Sequence, residues 1–319
     1  MKKFFSAVAF GVMTVASGLA QSVGFPRVQV IEDVTGTWCG YCVRAIVGME
    51  QLKEQYPDNF IGISAHYDDV FQTSTYTGLL NRATSYPYAV MNRTYAIGTN
   101  PDQMLTAFSA MPATAEGEAH IVEAQYTDSK YTAVRLSVES RFAATQSMAD
   151  YRLAFVVVED SIRAKQTNAY AGGETPMGGF ESMTESPYIY LMDVARCIDS
   201  YEGIAGSVPA QVKAGQTYVF DYTLTMPKVS RRKNVSIVVL LYKGSGTAIV
   251  NASRCRHIAD YEADGISQTP TSAPYSASSE NYSASRKNYS ASSYDFQGRS
   301  VRQPRHGQLL VRDGRKVLY

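Results

Sequence analysis

The chain has 319 residues, with 30 Lys and Arg against 29 Asp and Glu, for a formal charge of +1. That length exceeds one typical domain, so two are expected, each long enough to bury its own core. Near-neutrality gives no electrostatic reason for nucleic-acid binding, and no run after residue 20 is apolar enough to span a bilayer.

Residues 1–20 read as a secretory signal. Lys2 and Lys3 form its basic start, Phe4 to Leu19 is uncharged and mostly apolar, and Gly18-Leu19-Ala20 puts small residues before a cut at Gln21. Cleavage there takes the formal charge to −1, and no cysteine sits at the cut to carry a lipid. The mature protein is therefore expected outside the cytoplasm.

Val28 to Val34 is β-rich. From Cys39 to about Tyr56, Val43, Ile46, Val47, Met49 and Leu52 recur at helical spacing until Pro57 stops the pattern. Phe60 to Ala65 reads as a buried strand, 70–83 as helical, Tyr88 to Met91 as a strand, and Pro101 to Phe108 as a helix capped by Asn100. This β-α-β-α-β-α order predicts an α/β domain over 21–112. Beyond Pro112, strands are predicted near 118–126, 131–142, 152–159, 188–196, 216–225, 234–242 and 247–252, which suggests a β-sandwich domain over 113–263.

The gap at 161–187 holds Gly172-Gly173 and Gly178-Gly179 without the Lys-Ser/Thr of a phosphate loop, so it reads as a mobile loop. Residues 264–293 collapse to Ser, Ala, Tyr, Pro and Asn, with Tyr-Ser-Ala-Ser at Tyr275, Tyr282 and Tyr289, and read as a flexible linker. In the last segment, 294–319, Asp313-Gly314 between short apolar runs signals a hairpin.

The chemistry concentrates at Cys39 and Cys42. A Cys-x-x-Cys pair that opens a helix after a strand gains a stabilised thiolate on its first cysteine and a resolving thiol one turn on. As a staple it is poor. Chain-entropy bookkeeping gives its short loop only ~2 kcal/mol, against ~4 for the loop that Cys197 and Cys255 would close. Val43 follows Cys42, which removes the haem-attachment histidine, and no second close pair completes a zinc site. No cofactor or metal is expected. Cys197 and Cys255, both ending predicted strands in an oxidising compartment, are expected to form a structural disulfide.

Strand alternation turns Asp33 to the face opposite Glu32. Asp33, just before the cysteine turn, is expected to be desolvated and to exchange a proton with Cys42. His66 should end a strand near the rim of the same site, as a supporting residue that tunes Cys39 or as a rim histidine with no such role. Asp68 and Asp69 read as solvated loop acids, and Arg231-Arg232-Lys233 as an exposed turn.

Thr37-Trp38-Cys39-Gly40-Tyr41-Cys42 resembles a thioredoxin-superfamily active site. The resemblance implies a cis-proline facing the cysteines, matched by Pro87, and a buried acid, matched by Asp33. It also implies supporting roles for Trp38, Gly40 and Tyr41. Gly40-Tyr41 departs from thioredoxin itself and leaves the direction of electron flow open. Thr35 to Cys42, the His66 segment, Tyr86-Pro87 with Asn92-Arg93, and Val158-Glu159-Asp160 with Gln166 are similar to the outer-membrane-protein-28-related family of Bacteroides-type bacteria. That likeness implies a thioredoxin-like domain followed by a β-domain, in the periplasm, outer membrane or cell surface of a Gram-negative bacterium. The tail from Tyr294 resembles C-terminal sorting-type tails of the same bacteria. Two functions are carried forward. One is a thiol–disulfide oxidoreductase acting on protein thiols or a redox partner protein, with Cys39 as nucleophile and Cys42 resolving. The other is a surface binding or adhesin-like protein that keeps the fold as a scaffold. The tail would engage outer-membrane or export machinery in either case.

Overall fold

The computed structural model describes residues 24–244 and 248–262, together with four short strands between 293 and 318. The expected signal at 1–20 lies outside the described residues, as does all but the last residue of the expected linker at 264–293.

The chain begins with β1 (Phe25–Pro26), β2 (Gln29–Thr35), α1 (Val43–Gln55), β3 (Phe60–His66), α2 (Thr77–Leu80), β4 (Tyr88–Met91), β5 (Tyr95–Ile97) and α3 (Pro101–Ser109). It continues with β6 (Thr114–Ala115), β7 (Gly117–Tyr126), β8 (Ala133–Phe142), β9 (Tyr151–Glu159), β10 (Ile162–Lys165), β11 (Tyr188–Leu191), β12 (Val194–Ile198), β13 (Thr217–Thr225), β14 (Val235–Lys243) and β15 (Ala248–Cys255). Near the end lie β16 (Ser293–Tyr294), β17 (Ser300–Val301), β18 (Leu309–Arg312) and β19 (Arg315–Leu318), in sheet order β17-β16-β18-β19, with Leu309 opposite Leu318. The expected helix at 70–83 shrinks to a 3-10 turn and the four residues of α2.

One eight-stranded sheet organises the molecule, in the order β15-β14-β9-β12-β3-β2-β4-β5. It crosses the expected boundary at Pro112, because β12 pairs in parallel with β3, Val194 opposite Ser64. Central strands β2, β9 and β14 are buried nearly throughout; β9 and β14 accordingly read as apolar runs without clean alternation, whereas β2 buries the polar Gln29, Glu32, Asp33 and Thr35 as well. The predicted strand at 188–196 is two strands. Asp193 breaks it at φ 57°, sending β11 into a hairpin with β10 and β12 into the large sheet.

On one face, α1 and α3 cover β2, β3 and β4 through Ile31, Ala45, Met49, Leu52, Met91 and Met104. Farther along, the three-stranded sheet β13-β8-β7 packs on β9 and β14 as a sandwich, with Leu136, Val138, Phe155 and Val239 in its core. The opposite face of the large sheet curls until its distant parts meet. Ile249 N donates to Asn92 O at 2.9 Å, and Val28 N to Asn251 Oδ1 at 2.9 Å. Inside that curl Arg93 and Glu32 form a fully buried ion pair, Nε to Oε2 at 2.9 Å, and the guanidinium lies 4.0 Å from the Tyr201 ring centroid.

The expected Cys197–Cys255 disulfide is absent, and both are free thiols. The sheet explains why. Cys255 lies opposite Ile237, Ile237 opposite Val157, and Val157 opposite Cys197. The two cysteines thus share a row three interstrand steps apart, ~14 Å, when a disulfide tolerates no more than ~7 Å between Cα atoms. Burial pushes the Cys197 thiol up to about 11.

Candidate functional site

Cys39 and Cys42 are disulfide-bonded, with Cα atoms 5.4 Å apart. The bond sits where β2 hands over to α1. Cys39 N donates to Gly36 O at 3.0 Å, a 3-10 turn spans Gly40–Cys42, and α1 starts at Val43. The disulfide therefore lies at a helix N-terminus, where unpaired amides and the helix dipole favour a thiolate. Both cysteines are buried.

Asp33 occupies the face of β2 that carries Ile31 and packs on α1, whereas Glu32 turns the other way to Arg93. Burial raises the Asp33 carboxyl to about 7, and the nearby Arg44 of α1 opposes that rise only in part. Its Oδ1 has no hydrogen-bond partner. A carboxyl of that kind, beneath the first turn of α1, can hold or release a proton near neutral pH.

The Tyr86-Pro87 peptide is cis. Its tyrosine joins an aromatic surface beside the cysteine turn. Tyr86 meets Trp38 edge-on at 5.3 Å and stacks on Tyr67 at 5.3 Å, while Trp38 Nε1 donates to Tyr67 O at 2.9 Å. Trp38 and Tyr41 are 44% and 60% exposed, so the rim of the turn is open although its sulfurs are not.

What covers the turn is the connection between β10 and β11. The expected mobile loop at 161–187 is a packed strap. Thr167 N donates to Thr37 O at 2.8 Å and Ala169 N to Gly40 O at 3.2 Å, so the strap runs alongside the cysteine turn. Gln166 Nε2 donates to Cys39 O at 2.9 Å, and Asn168 Nδ2 ties the strap's two arms through Phe180 O at 2.8 Å. Met177 and Phe180 bury against Val43 and Val47 of α1. Gly40 permits the approach, since a Cβ there would meet Ala169 at 3.0 Å. Tyr170 reaches back to Tyr41.

Asp69 is a second correction. Its carboxylate is not solvated: Oδ2 accepts from His66 Nδ1 at 2.7 Å and from Thr37 N at 2.8 Å, and Oδ1 from Phe71 N at 2.9 Å. Burial alone would push its carboxyl up, but these bonds outweigh it and hold the group below its ordinary range. His66 is buried beneath the end of β3 with Asp69 as its partner, rather than lying on an open rim.

The profile of the family described as outer membrane protein Omp28 matches residues 74–257. The protein belongs to that family. An Omp28-family protein is exported, to the periplasm, outer membrane or cell surface of a Gram-negative bacterium. The matched span contains the strap and the sandwich but begins after the cysteine turn. Among solved structures, HBP35 of Porphyromonas gingivalis is similar in fold at a TM-score of 0.56 and 15% identity, over 92% of this chain and 97% of that one. Protein AGR_C_4864 from Agrobacterium tumefaciens gives a TM-score of 0.41 at 16% identity, over 73% and 96% of the two chains. A domain of the outer membrane lipoprotein Omp28 from Porphyromonas gingivalis gives 0.25 at 12% identity, over 46% and 92%. No curated protein matches the chain.

In this Omp28-family protein the structure thus gathers Asp33, Trp38, Cys39, Gly40, Tyr41 and Cys42 around one strand-to-helix turn, with Tyr86 of the cis Tyr86-Pro87 peptide against Trp38. Cys197 and Cys255 lie apart from it. Sequence reading missed what Arg44, Asp69, Gln166 and Asn168 do. Only Arg44 is bracketed by buried apolar residues; Asp69, Gln166 and Asn168 sit between exposed neighbours, and tertiary contacts alone give them their roles.

Proposed function

We propose that this outer-membrane-associated protein exchanges disulfides through Cys39 and Cys42, on a thioredoxin-like arrangement of strand, turn, helix and cis-proline. The observation that carries the reading is a buried carboxyl, raised to about 7, on the strand that leads into a disulfide at a helix N-terminus. A substrate thiolate attacks the Cys39 sulfur, and Cys42 leaves as a thiolate that takes the Asp33 proton. A second substrate thiolate then attacks the substrate sulfur of the mixed disulfide and expels the Cys39 thiolate. Two substrate thiols become one disulfide, and the protein gains two electrons as a Cys39/Cys42 dithiol; the reverse sequence reduces a substrate. Pro87 docks the substrate backbone beside Trp38. The substrates are protein or peptide thiols, or a redox partner protein.

The buried sulfurs and the outer-membrane family favour a second reading, a surface binding or adhesin-like protein that keeps the disulfide as part of its scaffold. Equilibration of the mature protein with glutathione or dithiothreitol separates the two. A pair that reduces and reoxidises reversibly in the range of exchange proteins supports the first; one that stays oxidised in strong dithiol supports the second. The tail from residue 294 serves sorting or attachment under either reading, so truncation at Asp264 shifts the protein's location and leaves the potential unchanged.

A further inference from the structure

Three donors converge on the carboxylate of Asp69, and one of them belongs to the cysteine turn. His66 Nδ1 and Thr37 N reach Oδ2 at 2.7 and 2.8 Å, and Phe71 N reaches Oδ1 at 2.9 Å. The side chains of His66 and Asp69 are only 2% and 6% exposed, so water competes little for these bonds. An ionised carboxylate fits all three, because it accepts at both oxygens and offers no donor. The amide of an asparagine would turn its NH2 group on the backbone N–H of either Thr37 or Phe71.

The chain after β3 is shaped to make this contact. Asp68 takes φ 53°, uncommon for a residue with a side chain, and turns the backbone sharply before Asp69. Tyr67 N donates to Thr35 O at 2.8 Å, and Trp38 Nε1 donates to Tyr67 O at 2.9 Å. Residues 67–69 thus lie along one side of the cysteine turn, and the strap lies along another.

Thr37 is where the two sides meet. Its N–H is taken by Asp69, and its carbonyl accepts from Thr167 N of the strap, both at 2.8 Å. Close by, Gln166 Nε2 reaches Gly36 O at 3.3 Å and Cys39 O at 2.9 Å. With both backbone groups engaged, Thr37 cannot reorient without breaking one of its bonds. An anchor of the strap therefore depends on a carboxylate that lies outside the strap.

We propose that Asp69 is a positioning residue of the disulfide site. Through Thr37 it sets the turn on which the strap closes, and so governs how readily a thiol reaches Cys39. The proposal rests on the exchange reading given above. His66 holds the carboxylate in place, and in this role it serves Asp69 rather than the sulfurs.

Asp69→Asn, Gln166→Ala and their double variant test this in the full mature chain. Arg93→Met is the control, since it loosens the curl of the sheet rather than the turn. Reduction by dithiothreitol is followed by Trp38 fluorescence, and exchange of the Thr167 amide by NMR. In Asp69→Asn both rates should rise about tenfold, the ratio that losing one buried hydrogen bond gives. Arg93→Met should leave both near wild type. If the two anchors grip one turn, the double variant is reduced no faster than the faster single variant. Rates that multiply overturn the proposal, as does an Asp69→Asn rate equal to wild type. Should Asp69→Asn fold poorly, His66→Phe decides in its place: a smaller rise in both rates supports the proposal, and none overturns it. A pair that stays oxidised in strong dithiol in every variant removes the exchange reading and this proposal together. A wild-type pair that exchanges, with Asp69→Asn unchanged, removes this proposal alone.

Discussion

The side-chain amide of Gln166 donates to the carbonyl oxygen of Cys39 at 2.9 Å, fastening the strap directly to the turn that holds the disulfide. Gln166→Ala removes that tie and leaves carbonyls of the turn short of a donor, at a cost of ~1–3 kcal/mol. The expected outcome is faster reduction of Cys39–Cys42 by dithiothreitol, with the strap's apolar contacts keeping the fold. Trp38 is the sole tryptophan and neighbours Cys39, so its fluorescence reports the rate. An unchanged rate would show that the strap does not limit access to the sulfurs.

Asp33 sets a pH dependence whose sign follows from burial. Its carboxyl moves from 3.8 to about 7, so between those values the folded protein binds a proton that the unfolded chain releases. Stability is unaffected below pH 3.8, falls as pH rises towards 7, and carries the full cost above it. That cost is on the order of 4 kcal/mol. Asp33→Asn should therefore stabilise the protein at pH 8 in urea unfolding and change little at pH 4. In the reducing direction, where Cys42 must lose its proton to attack Cys39, the same variant should keep Cys39 alkylation near wild type while release of the mixed disulfide slows near neutral pH. Glu32→Gln slowing that release equally would reassign the proton.

Glu32 and Arg93 should behave as a structural pair. Removing one partner from a fully buried ion pair strands the other charge, so Arg93→Met is expected to cost ~3–5 kcal/mol. Arg135→Ala breaks a pair with Glu123 in which both side chains are about half exposed, and should cost under ~1 kcal/mol. Chemical denaturation of the two variants checks the contrast. Similar losses would mean that water reaches the curl of the sheet.

Two free thiols are expected in the purified protein. Iodoacetamide without reductant should label Cys197 and Cys255 after unfolding in urea. Native labelling at pH 8 should be slow, because burial pushes both thiols up. A Cys197–Cys255 cross-linked peptide on mass mapping would contradict the strand order described above.

In the sandwich, β8 and β13 were legible because they alternate, and β9 and β14 because they are apolar runs. β8 reads apolar at Val134, Leu136, Val138 and Phe142 and polar between them, and the same residues line its core. The run from Tyr188 was not legible as two strands, since its break is enforced from elsewhere: Lys53 of α1 and Arg254 of β15 both clamp the Asp193 carboxylate. At the site, the opposite facing of Asp33 and Glu32 followed from strand alternation alone. The strap did not, because glycine pairs describe a loop equally well whether its amides find water or the carbonyls of Thr37 and Gly40.

Parallel pairing of β3 with β12 also fixes an order of events for an exported chain. The N-terminal strands and the cysteine turn emerge first, while the residues that close β3's edge and roof the sulfurs follow much later. During that interval β3 presents an unpaired edge, and Cys39 and Cys42 are open to whatever oxidant the compartment holds. The disulfide can thus be installed on a half-built molecule and sealed only when the strap and β12 dock, which makes translocation the moment at which this bond is most easily written.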